Sequence, residues 1–163
     1  MEQREKIILG IDPGTNRIGY GVIKLVGRKA SYIASGLIEI KEKYTPDQLK
    51  RIYDEIFLLI DKYSPDVAAI EKIFFSNNKK TAMTVAEARG VILLALMMKK
   101  AKIIEIAPNE VKQMVTGHGQ ADKKAVLKMV GLILGLQNFK PIDDTSDALA
   151  IAISGSLMTP YDR

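Results

Sequence analysis

Four carboxylates stand at the ends of apolar runs. Asp12 closes Ile7-Ile8-Leu9-Gly10-Ile11, Glu71 closes Val67-Ala68-Ala69-Ile70, and Asp144 and Asp147 open Ala148-Leu149-Ala150-Ile151-Ala152-Ile153. Acids set this close to apolar segments are partly desolvated, which is costly unless something pairs with them. Clustered carboxylates repel one another until a cation neutralises them, and oxygen donors favour a hard ion such as Mg²⁺. Magnesium held by several carboxylates is the equipment of phosphoryl transfer. In the two-metal form of that chemistry one ion lowers the pKa of a water and the other stabilises the leaving 3′ oxygen, with the ions about 4 Å apart. No protein nucleophile is then required, which suits a chain with no cysteine and a single histidine, His118.

Each acid taken singly has an ordinary explanation. Asp12 precedes Pro13-Gly14 and suits a turn, Glu71 suits a solvated strand end, and an Asp at a helix start is often a cap or a partner for the helix dipole. The joint pattern is worth more than its parts. Asp144 and Asp147 lie about 60° apart around a helix and can face one site. Asp143 shares a face with Asp147 at four-residue spacing, and geometry alone does not choose between Asp143 and Asp144.

The elements that would position these acids are readable from periodicity. Residues 6–12 read as a buried strand, Pro13-Gly14-Thr15-Asn16 as a turn, 18–23 as a second strand in a hairpin, and 31–40 as a third. Thr45, Pro46 and Gln48 form a helix-start signal with the pattern of a capping box, followed by Leu49, Ile52, Tyr53, Ile56 and Ile60 at helical spacing. Ser64-Pro65-Asp66 ends that helix and 67–71 reads as a short buried strand. A long helix over about 80–100, a strand over 102–106, a short helix from Pro108 to about Val115, a flexible Gly117-His118-Gly119 loop, a helix over 122–134 stopped by Gly135, and a last helix over about 144–157 complete the order. Three hairpin-linked strands followed by βα units predict an α/β fold with a mixed sheet covered on both faces. The expectation is a single domain over 1–163, with a core from about 6 to 157 and a short frayed tail.

Composition narrows the partners. Hydrophobic residues make up 47% and charged residues 26% of the 163, an ordinary globular balance. No apolar run approaches the roughly 20 residues of a membrane span, and the polar N-terminus has no signal-peptide core, so a cytoplasmic protein without a membrane partner is expected. Absent cysteine excludes disulfides, thiolate metal sites and thiol nucleophiles, and one histidine does not make a zinc cluster. The net charge of +5 suits a polyanion, and a basic chain that concentrates acids at the ends of apolar runs is arranged to hold phosphate at its surface and metal at its centre.

The motifs, taken in order, resemble a known family. Gly10-Ile11-Asp12-Pro13-Gly14-Thr15 with Gly19-Tyr20-Gly21, then Ile70-Glu71-Lys72-Ile73-Phe74, Ala88-Arg89-Gly90, Val111-Lys112, Thr116-Gly117-His118-Gly119, Ala121-Asp122-Lys123 and Asp144-Thr145-Ser146-Asp147-Ala148-Leu149-Ala150 resemble the RuvC family of crossover-junction endodeoxyribonucleases over about 7–155. The resemblance implies a ribonuclease H-like five-stranded fold, a homodimer, and symmetric nicking of four-way (Holliday) junction DNA in recombination and repair. It implies two Mg²⁺ per subunit, replaceable by Mn²⁺, and a branch-migration motor partner of the RuvA and RuvB type. By position it assigns Asp12, Glu71, Asp144 and Asp147 as catalytic metal ligands, choosing Asp144 over Asp143; some members carry His at the Asp144 position. It assigns Phe74 to stack on an unpaired base, Lys112 and Lys123 to DNA phosphates, and adds Asn78 and Arg89 as DNA-contacting residues. Stacking of a freed base on an aromatic face is worth about 1–3 kcal/mol. Arg89 suits packing or a dimer contact equally well, and His118 is left outside the site.

The long helix is apolar on more than one side through Val85, Ala86, Gly90, Leu94, Ala95, Met97 and Met98, which leaves an outer face for a twin subunit. Three other readings compete. A ribonuclease H-like nuclease acting on RNA shares the first strand and the basic surface, but the full acidic set and Phe74 argue against it. An actin- or sugar-kinase-like ATPase needs two lobes, which 163 residues do not supply. A non-catalytic DNA-binding domain would keep the acids as structural groups, and cleavage in Mg²⁺ separates it from the rest.

Overall fold

The computed structural model describes residues 4–43, 45–73, 79–137 and 143–160. Strands β1 (Glu5–Asp12), β2 (Arg17–Val26), β3 (Lys29–Glu39), β4 (Val67–Glu71) and β5 (Lys102–Ile106) form one sheet in the order β3-β2-β1-β4-β5. β1, β2 and β3 run antiparallel as a meander, and β4 and β5 add in parallel on the other side of β1. Helix α1 (Thr45–Tyr63) links the meander to β4, α2 (Lys79–Met98) links β4 to β5, and α3 (Pro108–Thr116), α4 (Lys123–Leu134) and α5 (Asp143–Leu157) follow.

The two-residue alternation of a strand divides the core in two. Leu9 and Ile11 of β1 face Ile52 and Ile56 of α1 and Ile92 and Leu96 of α2. Ile8 faces the opposite layer, with Val111 of α3, Val130 of α4 and Leu149 and Ile153 of α5. The mixed sheet with helices on both faces is therefore as expected, and the strand bounds differ mainly around the second hairpin, where β2 runs on to Val26 and β3 begins at Lys29. There the β2–β3 ladder continues to Val26↔Lys29 around Gly27, whose φ of 59° suits a tight turn. Gln48, read as part of a capping box, donates its side-chain amide to Asn16 Oδ1 at 3.3 Å and ties α1 to the loop after Asp12. The Gly117–Gly119 segment, expected to be flexible, is stitched by hydrogen bonds: Gln113 Nε2 donates to Gly117 O at 2.8 Å, Thr116 Oγ1 to His118 O at 3.1 Å, and Gln120 N to His118 Nδ1 at 3.2 Å.

Helix α5 lies directly on β1 and β2. Ala148 through Ile153 are all at most 2% exposed. This closeness depends on missing side chains: a Cβ on Gly10 would collide with the Ala148 carbonyl and with the backbone and Cβ of Ala152, and one on Gly19 would collide with the Asp144 carbonyl. Glycine at these two strand positions lets the helix backbone rest on the sheet.

Candidate active site

Three chain segments meet at one end of the sheet. Asp12 ends β1, Glu71 ends the neighbouring parallel strand β4, and Asp144 and Asp147 occupy the first turns of α5. Asp12 pairs with Gly19 across the β1–β2 ladder, and the Asp144 backbone sits over Gly19. The glycine that admits the helix is thus also the device that sets Asp144 beside Asp12. One turn further along, Asp147 comes to the same end of the sheet.

The electrostatics are those of crowded acids. Burial pushes the Asp12 carboxyl up to about 7, helped in turn by the negative charges of Glu71, Asp147 and Asp144, with Lys123 opposing. Burial also raises Glu71, helped by Asp147 and opposed by Lys112 and Lys123. Two of the acids are turned to protein cations: Asp144 Oδ2 lies 3.3 Å from Arg17 Nε, and Asp147 Oδ2 lies 3.5 Å from Lys123 Nζ. Among the described residues, no three carboxylates converge closely enough to ligate one ion in this arrangement. The donor set fits a hard divalent ion: all oxygen, no thiolate, no imidazole. A cation would also reverse the pressure that holds a proton on Asp12.

The flanking basic residues are fixed by local structure. Asp122 Oδ1 accepts a hydrogen bond from Ala125 N at 2.8 Å and caps α4, which makes Lys123 its first helical residue. Glu110 accepts from Ala107 N at 2.8 Å and caps α3, which carries Lys112 toward Glu71. Lys112 and Lys123 therefore both reach the electrostatic field of the acids. Arg89 on α2 donates from Nε to the Glu71 carbonyl at 3.0 Å and pairs with Glu105, and both partners are protein groups. Phe74 and Asn78 lie outside the described residues, as does the side chain of Asp143. Arg17 was not identified in the sequence; its only signal was a cation placed where the hairpin returns from Asp12.

The chain matches the model of the family described as crossover junction endodeoxyribonuclease RuvC over residues 8–155. The chain belongs to the RuvC family. It is 46% identical over 148 residues to the crossover junction endodeoxyribonuclease RuvC of Alkaliphilus metalliredigens, covering 90% of each chain. It is 44% identical over 157 residues to that of Thermotoga petrophila, covering 96% of this chain and 95% of the relative. Its structure resembles Thermus thermophilus RuvC solved with a Holliday junction substrate, with a TM-score of 0.85 at 30% identity, covering 91% of this chain and 92% of the other. The ribonuclease H-like architecture expected from the motifs is therefore the RuvC architecture.

Proposed function

We propose that this chain is a homodimeric endodeoxyribonuclease that resolves four-way DNA junctions by paired symmetric nicks, with two Mg²⁺ per subunit held by Asp12, Glu71, Asp144 and Asp147. The observation that carries the reading is the meeting of β1, β4 and α5 acids at one sheet end, in a chain matched to the RuvC family over 8–155. Divalent ions bound there would supply a more acidic water and charge stabilisation for the leaving 3′ oxygen.

The protein's own contribution is placement. β1 and β4 deliver Asp12 and Glu71 from adjacent parallel strands, and α5 delivers Asp144 and Asp147 from above. Burial keeps Asp12 in a weakly hydrated site, where its ionised form depends on a neighbouring cation. Lys112 and Lys123 hold the flanking phosphates, as compact charges suited to a backbone rather than to bases. Lys123 lies 3.5 Å from Asp147 and would turn to phosphate where a divalent cation neutralised that carboxylate instead. Phe74, in the segment that follows β4 in sequence, takes the unpaired base at the crossover, and Asn78 contacts the DNA.

Twofold symmetry suits two cuts on symmetry-related strands. The apolar outer stripe of α2, with Met83 at 70% and Leu94 at 54% exposure, supports a self-association surface there. A branch-migrating partner of the RuvA and RuvB type rests on family membership alone. Among the described residues no helix is long and apolar enough to cross a membrane.

The test is nicking of an end-labelled synthetic junction beside linear duplex and RNA–DNA hybrid, in Mg²⁺ and in EDTA. Paired nicks confined to the junction and to Mg²⁺ are expected. Cutting of RNA or hybrid instead would keep the fold and overturn the substrate.

A further inference from the structure

The backbone at Glu71 has a hydrogen-bonding problem that the sequence itself creates. Lys72 N donates to Ile106 O at 2.8 Å, so residue 72 faces β5, and by strand alternation Glu71 turns its amide and carbonyl toward β1. The β1–β4 register stops at Ile11↔Ile70. Continued by one step, it would present the amide of residue 13 to the Glu71 carbonyl. Residue 13 is proline and has no N–H to give. The ladder therefore loses its donor at the residue that must carry a metal-binding carboxylate.

Arg89 fills the gap. Its Nε donates to the Glu71 carbonyl at 3.0 Å, and its other arm pairs with Glu105 of β5. The side chain is only 15% exposed. A guanidinium presents several donors in a rigid fork, so one side chain spans both acceptors; a lysine ammonium on a flexible stem does not hold the same pair of directions. Glu105 is also the β5 partner of Ile70, the residue before Glu71. The arginine thus joins α2 to the last residue of β4 and the next-to-last residue of β5.

We propose that Arg89 is a positioning residue for the metal centre: it replaces the backbone donor that Pro13 removes and so fixes the Glu71 end of β4 against the repulsion of the neighbouring acids. The proposal rests on the metal-site reading above and replaces the DNA contact expected for Arg89 from the sequence. An acid that must approach Asp12 and Asp147 without a cation is pushed away from them, and a short strand released at its end would yield to that push. With Arg89 in place, the carboxylate stays within reach and the ion meets a site that is already assembled. Outer contacts of this kind typically set metal affinity more than they set the chemistry.

The test uses the full chain without DNA, titrated with Mn²⁺ while free Mn²⁺ is read by electron paramagnetic resonance. Arg89→Lys is expected to weaken Mn²⁺ binding by about 10–100-fold, with cleavage recovering as Mn²⁺ is raised. Junction affinity in EDTA, and its salt dependence, should stay as in the parent protein. Glu105→Gln should move Mn²⁺ binding in the same direction by less, and it decides the matter if Arg89→Lys does not fold. Unchanged Mn²⁺ binding in folded variants overturns the proposal. So does a salt slope reduced by about one in Arg89→Gln, the mark of a lost phosphate contact. A parent protein that binds no Mn²⁺ at the acids overturns the metal reading and this proposal together, whereas an intact parent with unaffected variants overturns this proposal alone.

Discussion

Helices α2 and α5 carry similar apolar sequences and end in different surroundings. In α5, Ala148 to Ile153 are enclosed by the sheet below and by α3 and α4. In α2, Ala88, Ile92, Ala95 and Leu96 are enclosed while Met83, Leu94, Met97 and Met98 stay exposed, the last two at 62% each. Their glycines differ in the same sense. A Cβ on Gly155 of α5 would lie 2.6 Å from Ala69 Cβ, while one on Gly90 of α2 would meet nothing within 4 Å. Helix α5 is covered by its own chain, whereas α2 keeps one apolar side exposed among the described residues.

The largest effect should come from forcing α5 off the sheet. Gly10→Val places a branched side chain where the α5 backbone rests, and we expect about 3 kcal/mol or more of destabilisation by denaturant titration, with loss of cleavage. Asp12→Asn attacks the same assembly chemically. Cleavage should vanish while junction binding in EDTA survives, and metal-free stability should rise. The sign follows from linkage: with its folded pKa near 7 against 3.8 unfolded, Asp12 favours the folded state when protonated, and that stability is lost as pH rises through about 7. The melting advantage of Asp12→Asn should therefore be widest above pH 7 and fade toward pH 4; a pH-independent gap would remove Asp12 from the crowded cluster.

On the α2 side, Leu94→Glu should yield a monomer by sedimentation with little change in the unfolding free energy, since the residue is 54% exposed within its own chain. Gly90→Ala sharpens the contrast with Gly10. It should stabilise the isolated fold by about 0.5–1 kcal/mol through helix propensity while weakening self-association. Smallest of all, Lys123→Ala should reduce the salt slope of junction binding by about one counterion.

Most of the scaffold was legible because strong periods marked it: the strand runs into Asp12 and Glu71, the Gly135 stop, and the strand over 102–106 all reappear in the structure. The four acids were legible because each interrupts an apolar run. Their pairing with cations was not, because an ion pair such as Arg17–Asp144 joins residues 127 positions apart and leaves no periodic trace. Arg89 was hidden for a different reason. Its role depends on a missing proton at Pro13 and on strand register, and neither is visible until β1, β4 and α2 are side by side.

The acids also have an order of arrival. Asp12 and Glu71 precede residue 72, but half of the acidic set waits for α5, the last of the described helices. Until then no helix lies over Gly10 and Gly19, and the proposed metal centre lacks two of its acids. A chain cut short before residue 143 keeps Lys112 and Lys123 but lacks Asp144 and Asp147. On the proposed reading, cutting chemistry toward DNA is thus withheld until α5 has been made.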